Sequence, residues 1–278
     1  QMAKVKQVVP ETVFNHGYAI LNADDDLVYA MKEGLKCNIA YFSMDENNPR
    51  IKKHCKAGGY AAVFENGYIT IMKGTWKIRV IKVSEVPVTY GGKALHNVMN
   101  CLPAVLSTYF WRDIEIEDIK LALQTFVPSS AQTPGRLNMF QFKHFQFLVD
   151  FAHNPAGLEL LCDFISKLDG EPKVGIISGT GDRRDEDIKE LGRISGRSFD
   201  EIIIRQDKNL RGRTAEEIVN LLVEGINETK TKDIPIEIIY NEKEAIMHAY
   251  NNAKPGSLIT IMCDVVADAL ELLTGLKE

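Results

Sequence analysis

The chain has 278 residues, 45% hydrophobic and 26% charged, which is globular composition with room for one large or two modest domains. A net charge of −5 argues against a nucleic-acid partner, which needs a basic face. No apolar run reaches the roughly 18 residues of a membrane span, and the start, Gln1-Met2-Ala3-Lys4-Val5-Lys6, lacks the apolar core of a signal peptide.

In chain order, residues 17–22 read as a buried strand followed by a turn of acids. Asp25 to Gly34 then has helical spacing, with Leu27, Val28, Met31 and Leu35 on one face. Asn38–Ser43 is a second strand. Three β-rich runs between 58 and 83, punctuated by Gly67 and Gly74, predict an antiparallel meander. Gly91-Gly92 opens a helix over 93–109, and 114–126 is another. Residues 128–134, with two prolines and three hydroxyl residues, are the linker. Beyond it the pattern changes. A hairpin over 137–149 precedes strands at 173–178, 201–205, 234–240 and 257–262. Helices at 156–168, 184–198, 214–227, 241–253 and 265–276 alternate with them, which predicts a mostly parallel sheet with right-handed crossovers. The five cysteines, Cys37, Cys55, Cys101, Cys162 and Cys263, form no C-x-x-C pair. They read as reduced core thiols of a cytoplasmic protein.

Several groupings carry chemistry. Asn22 and Asp24 follow the first strand, where they can face a crevice and bond ribose or adenine; equally, Asp24 or Asp25 can cap the next helix. His96 and Asn100 share a helix face, and an asparagine amide offers a donor and an acceptor to an adenine edge; a satisfied polar helix face is the plainer alternative. Arg136 stands at a Pro-Gly turn, and Asp150 ends an apolar strand, where a charge is costly unless paired. His153 and Asn154 follow directly. Gly179-Thr180-Gly181-Asp182-Arg183-Arg184-Asp185 joins a strand to a helix, where free N–H groups attract anions and acids complement the dipole. Residues 205–213, ending in Arg211-Gly212-Arg213, form a charged loop after the next strand.

Taken in order, Asn22-Ala23-Asp24-Asp25, the pair His96-Asn97 with Asn100, Pro134-Gly135-Arg136, the run from Asp150 to Pro155, Gly181-Asp182-Arg183-Arg184-Asp185 and Arg211-Gly212-Arg213 resemble the motifs of the Mur ligase family. These are the ATP-dependent amide-forming enzymes of peptidoglycan, folylpolyglutamate and cyanophycin synthesis. The forms at 181–187 and 211–213 are similar to the cyanophycin-synthetase branch. The resemblance implies an α/β protein: the C-terminal half of a central ATPase-type domain over residues 1–131, then a Rossmann-like Mur ligase C-terminal domain over 132–278. It gives Asn22, Asp24, His96, Asn100, Arg136 and Asp150 to the nucleotide. His153, Asn154, Asp182, Arg183, Asp207 and Arg211 go to the incoming amino acid. No metal ligand or catalytic residue is expected in this chain.

The implied substrates are ATP, with Mg2+ through the parent enzyme, an amino acid with arginine favoured, and a peptide or polymer carboxylate activated as an acyl phosphate. Asp182, Asp185 and Asp207 are the candidates for the guanidinium of an incoming arginine. The family's phosphate loop, G-x-x-x-x-G-K-[ST], does not occur here. Gln1 is not a translation start, so the sequence is either a cut piece or carries an added residue ahead of Met2; the missing phosphate loop leads to the expectation of a fragment that does not form an amide bond by itself. An exposed sheet edge makes a homo-oligomer a further expectation; neither nucleic acid nor membrane is expected as a partner. The alternatives are a folylpolyglutamate- or peptidoglycan-type ligase, and a non-catalytic nucleotide-binding homologue.

Overall fold

The computed structural model describes residues 2–277. The chain is α/β and divides into two units, one ending at Val127 and the other starting at Pro128.

The first unit begins with α1 (Met2–Glu11), β1 (Tyr18–Asn22), α2 (Asp26–Ala30), β2 (Asn38–Ser43), α3 (Pro49–Lys56) and β3 (Tyr60–Glu65). It continues through β4 (Tyr68–Lys73), β5 (Trp76–Lys82), two short 3-10 turns, α4 (Leu95–Tyr109) and α5 (Ile116–Thr125). Its five strands lie in sequence order; β1, β2 and β3 are parallel, and β3 to β5 form the antiparallel meander. Asn66 and Gly67 sit at φ 50° and 82° between β3 and β4, the paired left-handed geometry that tight hairpins require and that Asn-Gly supplies cheaply. Alternation along the strands sends Ala40, Ala62, Ile69 and Ile71 to one core with Val98, Leu102, Val105 and Leu106 of α4. Leu21, Tyr41, Ala61 and Val63 go to the other face, against Met31, Ile51 and Cys55.

The second unit holds β6 (Asn138–Gln141), β7 (Gln146–Asp150), α6 (Pro155–Ser166), β8 (Lys173–Ile177), α7 (Asp185–Ser198) and β9 (Glu201–Ile204). Then come α8 (Ala215–Thr229), β10 (Ile236–Ile238), α9 (Glu242–Asn251), β11 (Leu258–Met262) and α10 (Val266–Gly275). The sheet order is β10-β9-β8-β11-β7-β6. Every pairing is parallel except that of the edge strand β6. β11 is buried along its whole length, which suits a central strand of a parallel sheet covered on both faces.

α7 and α8 meet backbone to backbone. A Cβ on Gly225 would lie 2.0 Å from the Lys189 carbonyl oxygen, and one on Gly192 would lie 2.3 Å from that of Leu222. Arg193 flanks the seam, paired with Glu228 at 2.6 Å and Glu190 at 3.0 Å.

Three elements differ from the sequence reading. The helix after β1 is a single turn and a half, because Asp25 caps it and residues 31–34 turn away to Gly34 at φ 88°. α3 escapes periodicity because only Ile51 and Cys55, one turn apart, are buried in it. α1 buries no residue, so no core-facing stripe marks it.

Candidate functional site

In the second unit, the turn before β6 is rigid. The Asn138 side chain accepts from the Gly135 N–H at 2.6 Å and donates to the Thr133 carbonyl at 3.0 Å. Gly135 has φ 70°, and a Cβ there would meet Val266 at 2.6 Å, so only glycine fits. The next residues are Arg136, exposed with its guanidinium 5.8 Å from the Phe151 ring centre, and Leu137, at φ 50°. The Leu137 N–H donates to Asp150 Oδ2 at 3.0 Å. Asp150, at the carboxyl end of β7, is buried. Burial pushes its carboxyl above the ordinary carboxylate range, although the Leu137 N–H and Arg136 pull the other way. His153 is exposed and its Nδ1 lies 3.0 Å from the Phe151 carbonyl. Asn154 caps α6, accepting from the Gly157 N–H at 2.8 Å.

The loops after β8 and β9 are joined. Arg213 donates to the carbonyls of Gly181 and Arg183, both at 2.9 Å, and pairs with Asp185 at 2.6 Å. Gly181 is essential to this approach, since a Cβ there would lie 1.9 Å from the Leu210 oxygen. Arg211, at φ 50°, pairs with Asp182 at 2.6 Å, which holds the Asp182 carboxyl below its usual range. Arg183 is half-buried, and its Nε has no hydrogen-bond partner among the described residues. Asp207 accepts from Ser178 Oγ at 3.0 Å and from Arg205 at 2.6 Å. The three aspartates expected to await an incoming guanidinium thus each already hold one of the chain's own arginines.

Arg205 is the residue that sequence reasoning passed over. It is 1% exposed. Its guanidinium contacts Asp207, the Met262 carbonyl and, at 3.2 Å, Glu242 Oε2. The signal was present: a charge closing the apolar run Ile202-Ile203-Ile204 is the same mark that singled out Asp150. A cavity of about 450 Å3 opens beside it, among the carboxyl ends of β9, β10 and β11. Open parallel sheets place their ligands at that end.

In the first unit, Asn22 Oδ1 accepts from the Asp24 N–H at 2.9 Å. Asp24 accepts from Ser43 Oγ at 2.5 Å, the Met44 N–H at 2.8 Å and Asn48 Nδ2 at 2.8 Å, tying the ends of β1 and β2 together. Capping of α2 falls to Asp25. On α4, Asn97 donates to the Val88 carbonyl at 2.8 Å, while Asn100 is exposed and His96 half-exposed. Asn97 and Asn100 stand at a largely apolar cavity of about 350 Å3 between α4 and α5. Among the described residues no three histidine, cysteine or acidic side chains are grouped to hold a metal, and no helix is long and apolar enough to cross a membrane. All five cysteines are free thiols. Burial pushes Cys101 and Cys162 to about 11 and Cys263 to about 12, so these three are protonated and unreactive at neutral pH.

Residues 135–264 match the family model described as Mur ligase, glutamate ligase domain. The second unit belongs to the Mur ligase family. The whole chain is 41% identical over 277 residues to a cyanophycin synthetase of Synechocystis sp., and it spans 31% of that relative's length. Among solved structures, a murein peptide ligase of Psychrobacter arcticus superposes with a TM-score of 0.65 at 17% identity, covering all of this chain and 55% of that one. A folylpolyglutamate synthase of Mycobacterium tuberculosis, solved with ADP and AMPPCP, gives a TM-score of 0.59 at 17% identity over 95% of this chain and 65% of that one. At these identities the two structures support the fold alone.

Proposed function

We propose that the chain is the amide-ligase portion of an ATP-dependent enzyme of the cyanophycin-synthetase kind. It spans only part of its relatives, so nucleotide and amino-acid binding are assigned to it, and the chemistry to the parent enzyme. The observation that carries the reading is Asp150. A carboxylate buried at a strand end, with burial working against its ionisation, is costly to keep unless a ligand repays it. A ribose diol, which donates two hydrogen bonds, is such a ligand. Residues 1–131 are read as half of a central ATPase domain and 132–278 as the C-terminal domain.

In the first unit, Asn100 is the adenine contact, with the apolar cavity beside it as a wall and His96 on the same helix face. Asn22 and Asp24 shape the end of β1 for the nucleotide. In the second unit Asp150 takes the ribose, and the exposed Arg136, held by its turn, meets phosphate or ribose oxygens. His153, Asn154, Asp182, Arg183, Asp207 and Arg211 frame the amino-acid side, with arginine favoured. ATP supplies the phosphoryl group that activates a carboxylate for attack by the amine. Mg2+ arrives with the nucleotide, and no residue of this chain is assigned to it.

The test is equilibrium binding of ADP to the chain. Asn100→Ala and Asp150→Asn should each weaken it by about 10-fold or more, the value of one hydrogen bond to a ligand. An ADP affinity that neither substitution changes refutes the assignment. A companion assay measures ADP release from ATP with arginine and an aspartyl acceptor. The chain alone should stay at background, and robust turnover would show that it is catalytically self-sufficient.

A further inference from the structure

Arg205, Asp207 and Glu242 form a buried charge triad; the side chains of the two acids are each 11% exposed and that of Arg205 2%. Stability does not explain such a triad, because desolvating three charges costs about as much as their attraction returns, and apolar replacements are often as stable. What the triad does achieve is geometry. Arg205 grips Oδ1 of Asp207 and faces Oε2 of Glu242, while the Asp264 N–H donates to that same Glu242 oxygen at 2.6 Å. Among the described residues, Asp207 Oδ2 and Glu242 Oε1 accept no hydrogen bond. Both side chains line the 450 Å3 cavity, a volume inside the ~300–1,000 Å3 range of small-molecule sites. Beside them Gln206, 8% exposed, keeps an unpartnered Oε1.

We infer that Arg205 is a positioning residue. It fixes Asp207 and Glu242 so that one oxygen of each is left for the cationic side chain of the incoming amino acid in this cavity. The inference rests on the reading above that the amino acid is cationic. It moves guanidinium recognition away from Asp182 and Asp185, whose carboxylates are spent on Arg211 and Arg213. A guanidinium donates five N–H bonds in a planar fork and suits two such oxygens. Arg205 serves twice over: it orients the pair and offsets their mutual repulsion while the cavity is empty.

The test compares L-arginine with L-citrulline, its uncharged near-isostere, by equilibrium binding to the chain, with ADP binding and thermal unfolding as controls. The wild-type chain should prefer arginine by 10-fold or more. Arg205→Lys keeps the charge but cannot bridge both acids, and it should cut that preference at least several-fold with ADP binding unchanged. Should that variant fail to fold, the charge-free combination Arg205→Met, Asp207→Asn, Glu242→Gln serves in its place, and should bind arginine and citrulline equally. A folded variant of either kind that keeps the full preference overturns the inference. A wild-type chain that binds ADP without distinguishing arginine from citrulline overturns the cationic-substrate reading itself.

Discussion

Asp150 is costly to the fold because it is buried, and the proposed ribose contact would repay that cost. Burial raises its pKa above the carboxylate value of 3.8. Folding therefore shifts its titration upward, and the associated stability is complete below the unfolded pKa and lost as pH rises through the raised folded value. Asp150→Asn removes this titration while keeping an acceptor for the Leu137 N–H. Thermal unfolding should show the variant more stable than the wild type at pH 7, with the gap closing as pH falls through 4. A gap of constant size across that range would place the cause elsewhere. That Asp150 ends a buried strand was legible from the run Phe147-Leu148-Val149 before it. Which groups meet it was not, because Leu137 contributes a backbone N–H, and only the left-handed geometry of residue 137 aims it.

The elements carry a second lesson. Alternating strands and helices after residue 137 were readable because the inner strands β7, β8, β9 and β11 are mostly apolar runs and the helices have amphipathic stripes. The helix–helix contact that braces the second unit leaves no such stripe. It depends on what Gly192, Gly196 and Gly225 lack, and a missing side chain has no hydrophobic period. Gly225→Ala should destabilise the chain by about 3 kcal/mol, the upper part of the usual overpacking range. Urea unfolding should show this as a lower midpoint with an unchanged slope. The partners of Arg205 were unreadable for a related reason: Asp207 is near in sequence, but Met262 is 57 residues away, and only the strand order brings its carbonyl alongside.

At the scale of the molecule, the two units have separate cores, one set around β1–β5 and another around β6–β11. The segment joining them is largely exposed from Thr125 to Gln132. Calorimetry is expected to resolve two transitions rather than one. Brief subtilisin digestion is expected to cut between 125 and 134 and leave two resistant fragments. A single transition with no preferred cleavage there would contradict this picture. The sequence marked the joint through its prolines and hydroxyl residues. It gave no measure of how completely each side closes a core of its own.

The glycine seam between α7 and α8 also bears on how this chain can change over generations. At Gly225 and Gly192 a carbonyl of the facing helix occupies the place of a methyl group, so even the smallest replacement is refused. A library randomising both helices would therefore return glycine at both sites. A ranking of positions by intolerance would set such residues beside any that hold a ligand, and only the geometry tells the two kinds apart.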